Sequence, residues 1–146
     1  MSNDNYIPSP SERVRNQVAA YEASNGAEGG ELNGLPVVIL TTRGASSGAI
    51  RKAPIMRVVD GQKYVAIASY AGNPKHPAWY HNLVAHPDAQ IQDGASVIAV
   101  RAREAAGKEK ERLWALADSQ NTAYADYRAK AGREIPVLVL EPVRGA

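Results

Sequence analysis

The residues with the clearest capacity for chemistry stand between Leu40 and Met56. Gly44, Ser46, Ser47 and Gly48 form a run of small residues, with Arg43 before it and the basic pair Arg51 and Lys52 after it. Glycine and serine let backbone N–H groups converge on anionic oxygens, and the flanking cations supply countercharge, so the stretch reads as an anion-holding loop. The same composition also serves a plain hairpin turn on a basic protein. The Gly-Lys-Ser/Thr ending of a nucleotide P-loop is missing and the segment that follows reads as strand, and no dinucleotide fingerprint is present.

Side chains for hydrolysis are lacking. His76, His81 and His86 have no carboxylate or cysteine at ligand spacing, so no metal site is expected. There is no Gly-x-Ser-x-Gly elbow, and Ser69 has no base partner evident in the sequence. Chemistry must then come from a cofactor, or the protein simply binds. Tyr124 and Tyr127 lie three apart, so on a helix they share a face and present two hydroxyls to a pocket, or pack as an aromatic pair on the core. Ser69 to Lys75 directly follows a strand, as site-bordering loops and ordinary connections both do.

Composition narrows the setting. A chain of 146 residues is one domain by length and buries a core without staples. With no cysteine, disulfides and thiolate chemistry are excluded. The polar start through Asp4 is no secretory signal, and no run approaches the roughly 18 apolar residues of a membrane span. A cytoplasmic protein is expected. A net charge of +2 gives no case for nucleic acid, because the strands are aliphatic rather than basic and aromatic.

The elements that must position these groups follow in order. Ser9-Pro10-Ser11-Glu12 predicts a helix start, with Ser9 as cap, Pro10 first and Glu12 third. The helix carries Val14, Val18 and Tyr21 on one face and stops at Asn25-Gly26. That narrow face, with Arg13 and Arg15 beside it, docks on the domain or meets a membrane surface. Gly26 to Gly34 reads as a flexible connection, which divides the chain into an N-terminal helical part over 1–34 and a barrel domain over 35–146. Strands are expected over Val37–Thr42, Ala53–Asp60, Lys63–Ser69, Ala89–Gln92, Ala95–Glu104 and Ile135–Leu140, with tight turns at Asp60-Gly61 and Asp93-Gly94. Helices are expected over Pro77–Ala85, over Lys108–Gln120, and around Tyr124 and Tyr127. About six mainly antiparallel strands with short flanking helices make a partly closed barrel of the α+β class.

Several blocks in this order, Leu-Thr-Thr-Arg-Gly-Ala-Ser-Ser-Gly-Ala-Ile-Arg-Lys-Ala-Pro-Ile-Met-Arg-Val, Ala-Ile-Ala-Ser, Asn-Pro-Lys-His-Pro-Ala-Trp-Tyr-His-Asn-Leu and Ile-Pro-Val-Leu-Val-Leu-Glu-Pro, resemble the deazaflavin-dependent nitroreductase and quinone reductase family. The likeness covers roughly Leu35 to Val143. It implies an FMN-binding-like split β-barrel and an oxidoreductase that passes a hydride from reduced coenzyme F420 to a quinone-like, nitroaromatic or other conjugated acceptor. Arg43, Ala49, Ile50, Arg51, Lys52, Ala53 and Pro54 would hold the cofactor's phosphate and glutamate tail. Met56, Ile67, Ala68 and Ser69 would flank the ring, and Lys75, His76, Pro77, Ala78 and Trp79 would cover the far end of the groove. Tyr124, also against the cofactor, and Tyr127 match substrate-pocket tyrosines of the family, with Ser69, Tyr124 or Tyr127 donating to the acceptor. Asn121 and Met56 stand where the family also has tyrosines. The alternatives are an FMN-binding split barrel and a non-catalytic cofactor carrier. The protein is expected as a monomer or homodimer whose first helix is the candidate membrane contact.

Overall fold

The structure, a computed structural model, describes residues 5–32, 34–69, 72–120 and 123–143. Asn121, expected at a family tyrosine position, lies outside them, as do Tyr70 and Ala71 of the loop after Ser69.

Helix α1 (Glu12–Ser24) begins two residues later than the capping pattern predicts. The Ser9 hydroxyl accepts the Ser11 N–H at 3.1 Å, and the cap passes to Ser11, whose Oγ accepts the Val14 N–H at 3.3 Å. The helix ends as expected at Asn25, which is left-handed with φ 53°. Its apolar side packs inward: Val18 and Tyr21 are buried with Val37 and Ile39, and Val14 lies against them. The chain beyond Gly26 is tied in place, because the Gln17 amide donates to the carbonyls of Gly29 and Glu31, each at 3.0 Å. A Cβ on Gly30 would come within 2.3 Å of the Gly26 carbonyl oxygen, so only glycine fits that approach.

Eight strands occur among the described residues, two more than the pattern predicts. They are β1 (Glu31–Leu32), β2 (Leu35–Arg43), β3 (Ile50–Met56), β4 (Val59–Asp60), β5 (Lys63–Ile67), β6 (Asp88–Asp93), β7 (Ser96–Glu104) and β8 (Val137–Pro142). From β2 the sheet runs through β6, β7 and β8 to β5, all antiparallel. The expected single strand Ala53–Asp60 is instead two. β3 pairs with β2 at one end of the sheet and β4 pairs with β5 at the other, so the chain crosses between Arg57, whose N–H still donates to Pro36, and Val58, whose carbonyl already accepts the Val65 N–H. This crossing curls the sheet into a split barrel.

Helices α2 (Ala78–Ala85), α3 (Gly107–Gln120) and α4 (Ala123–Ala131) flank the sheet. Alternation sorts the core. Val38, Leu40, Leu138 and Leu140 point into the barrel, whereas Val137 and Val139 face a second cluster with Leu113, Ala117 and Tyr124. β8 is thus buried on both faces, which explains its unbroken apolar run. Among the described residues no helix is long and apolar enough to cross a membrane.

One hydrogen bond joins α1 to the far hairpin, since the buried Tyr21 hydroxyl accepts the Gly94 N–H at 2.8 Å. Tyr21→Phe should lower stability by about 0.5–1.5 kcal/mol. Urea denaturation measures this, and an unchanged midpoint refutes the contribution.

Candidate functional site

Six consecutive residues of β3, Arg51 to Met56, line a cavity of about 600 Å³. Successive strand residues point to opposite faces, so a flat wall takes only alternate ones; a consecutive run lines a cavity that follows the strand's edge. The ladder shows which edge. The Arg57 N–H donates to the Pro36 carbonyl at 3.0 Å and the Gly44 N–H to the Ala49 carbonyl at 2.7 Å. These bonds set the phase: residues 51, 53 and 55 turn their backbone groups to β2, and Ile50, Lys52, Pro54 and Met56 turn theirs outward. The outward groups of Ile50 are taken by the Asn5 carbonyl and the Ile7 N–H, and Pro54 has no N–H to leave unpaired. What remains of the edge faces the cavity.

The strand also separates the basic pair. Arg51 and Lys52 were expected to close the loop, but β3 already begins at Ile50, so their side chains leave opposite faces. Lys52 goes to the α1 side, where only 4% of its side chain is exposed. Its ammonium donates to Glu22 at 2.5 Å and lies 4.9 Å from the centre of the Tyr6 ring. Burial, and then Glu22, pushes the Tyr6 hydroxyl pKa above its ordinary value. Arg51 goes to the other side, across from Thr42 in the register. Arg13 of α1 brings a third cation to the lining.

Four amides of the turn after β2, at Gly44, Ala45, Gly48 and Ala49, are already committed within the protein. A Cβ on Gly44 would meet the Ser47 hydroxyl at 2.6 Å, and Gly48 has φ 70°, so both glycines serve the turn itself. Asn82 of α2 holds it from outside, with its Oδ1 accepting the Ala45 N–H and its Nδ2 donating to the Thr42 hydroxyl, each at 3.0 Å. Asn82 was not singled out from the sequence. The signal was there: it lies three residues after Trp79 and four after Ala78, on the face those lining residues share.

The opposite wall is formed by Ile67 and Ser69 at the end of β5, by Pro77, Ala78 and Trp79, and by Tyr124 and Tyr127 of α4. The two tyrosine rings meet edge to face at 6.1 Å, and Trp114 meets Tyr124 at 6.0 Å. Arg128, paired with Asp118 at 2.9 Å, lies 4.1 Å over Trp114 and locks the row. The two tyrosines therefore line the cavity and also pack on the core.

Not every expected residue reaches the cavity. Ala49, Ile50 and Ala68 are buried behind it, and Arg43 is exposed, with its guanidinium donating to the Gly48 carbonyl at 3.2 Å. Lys75 is exposed, and the His76 Nδ1 faces Arg133 at 3.0 Å. The His76 and His81 rings approach to 5.8 Å, yet no group of three or more metal-ligating side chains is present among the described residues. Ser9, Arg13, Val14 and Leu32 line the cavity without having been expected there, because the docking of α1 is not written in local spacing.

Comparison with known proteins adds a separate line of observation. A family model for F420H(2)-dependent quinone reductase matches residues 13–142. An F420H(2)-dependent quinone reductase of Mycobacterium tuberculosis is 35% identical over 126 residues, which covers 84% of this chain and 85% of the relative. A solved structure of an F420-H2 dependent reductase is 46% identical, with TM-score 0.68, and covers 73% of this chain and 94% of its own. Another, described as a domain-swapped dimer, is 41% identical with TM-score 0.70 and covers 91% of this chain and 100% of its own.

Asn82→Leu removes both bonds that hold the turn and leaves the buried Thr42 hydroxyl without that donor, so stability should fall by about 1–3 kcal/mol. Amide exchange at Ala45 should also quicken. Wild-type exchange at Ala45 in the folded variant would show that Asn82 does not hold the turn.

Proposed function

This chain belongs to the F420H(2)-dependent quinone reductase family, whose activity is F420-dependent hydride transfer to a quinone, and from that premise we propose that the cavity along β3 is where cofactor and acceptor meet. The observation that carries the proposal is that one cavity along the β3 edge is lined both by cations and by aromatic and apolar side chains. Arg13, Arg51 and Lys52 bring positive charge to its lining, and Trp79, Tyr124, Tyr127, Met56 and Ile67 bring aromatic and apolar surface. Coenzyme F420 likewise joins an acidic tail to a flat ring.

The residues present fit the group. Lys52 is a nearly buried cation whose one carboxylate partner, Glu22, is itself about one-third exposed. Arg13 and Arg51 also line the cavity, so its three cations outnumber the carboxylate paired with Lys52 and hold the tail. The outward backbone groups of Lys52 and Met56 offer hydrogen bonds to polar atoms of a flat ring laid along the strand. Bound in this groove, F420H2 supplies the hydride. Trp79, Met56 and Ile67 exclude water from the reacting face. Ser69, 6% exposed, Tyr124 and Tyr127 line the same space, and Ser69, Tyr124 or Tyr127 donates to the acceptor oxygen on which negative charge grows. The apolar side of α1 is committed to the sheet, so the helix serves here as groove wall rather than membrane contact. The domain-swapped neighbour supports a homodimer as the assembled state, which sedimentation tests.

The deciding assay is anaerobic turnover with a menadione-type quinone, offering reduced F420, reduced FMN and NADPH in parallel. Oxidation of F420H2 alone is expected, and turnover with FMN alone would replace this reading with the flavin one. Within the site, Lys52→Ala leaves Glu22 facing the tail and should weaken F420 binding by about 1–3 kcal/mol. Glu22→Gln should tighten it by freeing the same ammonium. If the two variants shift affinity in the same direction, Lys52 does not hold the tail.

A further inference from the structure

Behind the ring-lining wall sits an arginine that no part of the proposed reaction uses. Gly132, left-handed at φ 63°, ends α4 and turns the chain so that Arg133 reaches back under β5. Its guanidinium has no carboxylate partner among the described residues; every acceptor is neutral. Nε donates to the Asn73 carbonyl at 3.0 Å. Nη2 donates to the carbonyls of Ala68 at 2.9 Å, Lys75 at 3.0 Å and Ser69 at 3.2 Å. Nη1 donates to the His76 Nδ1 at 3.0 Å. Burial alone pushes this guanidinium below its ordinary pKa, which fits a cation held by carbonyl dipoles rather than by an acid.

These acceptors come from two separate pieces of wall. Ala68 and Ser69 directly follow β5, and Ser69 lines the cavity. Asn73, Lys75 and His76 form the turn that delivers Pro77, Ala78 and Trp79 to the same cavity. A planar fork with fixed donor directions sets the distance between two such pieces, which a flexible ammonium does not. We propose that Arg133 is a positioning residue for hydride transfer, a brace that fixes the Ser69 hydroxyl and the Pro77–Trp79 wall at the separation the bound ring requires. This rests on the reading that the groove holds F420.

The contact with His76 gives the brace a dependence on pH. Nδ1 must accept from Arg133, so the imidazole is neutral with its proton on Nε2. The groups facing it are Arg133, Tyr80 at 4.7 Å, His81 at 5.8 Å and, through Tyr80, Glu104. Burial first, then Arg133 and His81, hold its pKa below the ordinary value against the opposing pull of Glu104. A histidine depressed in the folded state contributes fully above its unfolded pKa of about 6.5, and that contribution is lost as pH falls through the folded value. Protonation removes the acceptor and sets two cations against each other.

Three measurements test the brace. Arg133→Lys keeps the charge and loses the fork; kcat for F420H2 oxidation by quinone should fall about 10–100-fold while the F420 dissociation constant, read from the cofactor's own fluorescence, moves less than about threefold. In cofactor-free protein the amides of Ala68 and Gly72 should exchange faster in Arg133→Ala, and added methylguanidinium should slow them again and restore turnover. His76→Asn, whose side-chain oxygen accepts at every pH, should abolish the acidic decline in kcat expected of the wild type as pH falls through the lowered pKa of His76. A folded Arg133→Lys protein that binds F420H2 like the wild type and turns over within about twofold of it overturns the brace and leaves the cofactor site standing. If Arg133→Lys does not fold, an unaltered acidic limb in His76→Asn overturns the brace instead. A wild type that binds no F420 overturns both.

Discussion

The stretch Ile50–Asp60 has to pair with both ends of one curled sheet, and the rest of the architecture follows from that demand. β3 is held to β2 through Met56, so it has no further length with which to join β5, and its outer edge stays open. An open edge in water invites association with other strands. Here it is blunted by Pro54, by the Asn5–Ile7 backbone bonded to Ile50, and by charge at Arg51 and Lys52. With α1 on one side and α2 and α4 on the other, the liability becomes a groove with backbone hydrogen-bonding groups along its floor.

The electrostatics of that groove are set by strand alternation. Because Arg51 and Lys52 leave opposite faces, one cation stays partly solvated and the other is buried under α1. A buried ammonium without a partner is costly, and Glu22 and the Tyr6 ring together remove that cost. The consequence is a site whose positive charge depends on a helix that contributes an acid to it. At an effective dielectric near 20, two unit charges 4 Å apart interact by about 4 kcal/mol, so an incoming anion near Lys52 competes with Glu22 on comparable terms.

The walls are kept in place by polar side chains acting at a distance from the cavity centre. Asn82 ties the turn after β2 to α2, Arg133 ties the end of β5 to the turn before α2, and Arg128 stacks on Trp114 to steady the tyrosine row. Each satisfies backbone or aromatic partners that would otherwise be loose in a region without regular hydrogen bonding. The loops around the groove are therefore held by side chains as well as by their own backbone.

Much of this was present in local pattern. The turns at Asp60-Gly61 and Asp93-Gly94, the stop at Asn25-Gly26, the apolar face of α3 and the doubly buried run in β8 are short-range features, legible because propensity and period act over a few residues. The order of motif blocks carried the family, and with it the deazaflavin cofactor and the split barrel. Tertiary structure decided the rest: that β3 starts early enough to part Arg51 from Lys52, that Asn82 of α2 holds the turn after β2, that α1 brings Arg13 to the groove and Glu22 to Lys52, and that Arg133 lies under Ser69, 64 positions away in the chain. Burial, strand phase and the docking of distant segments are set by contacts between residues far apart in sequence, and spacing along the chain holds no record of them.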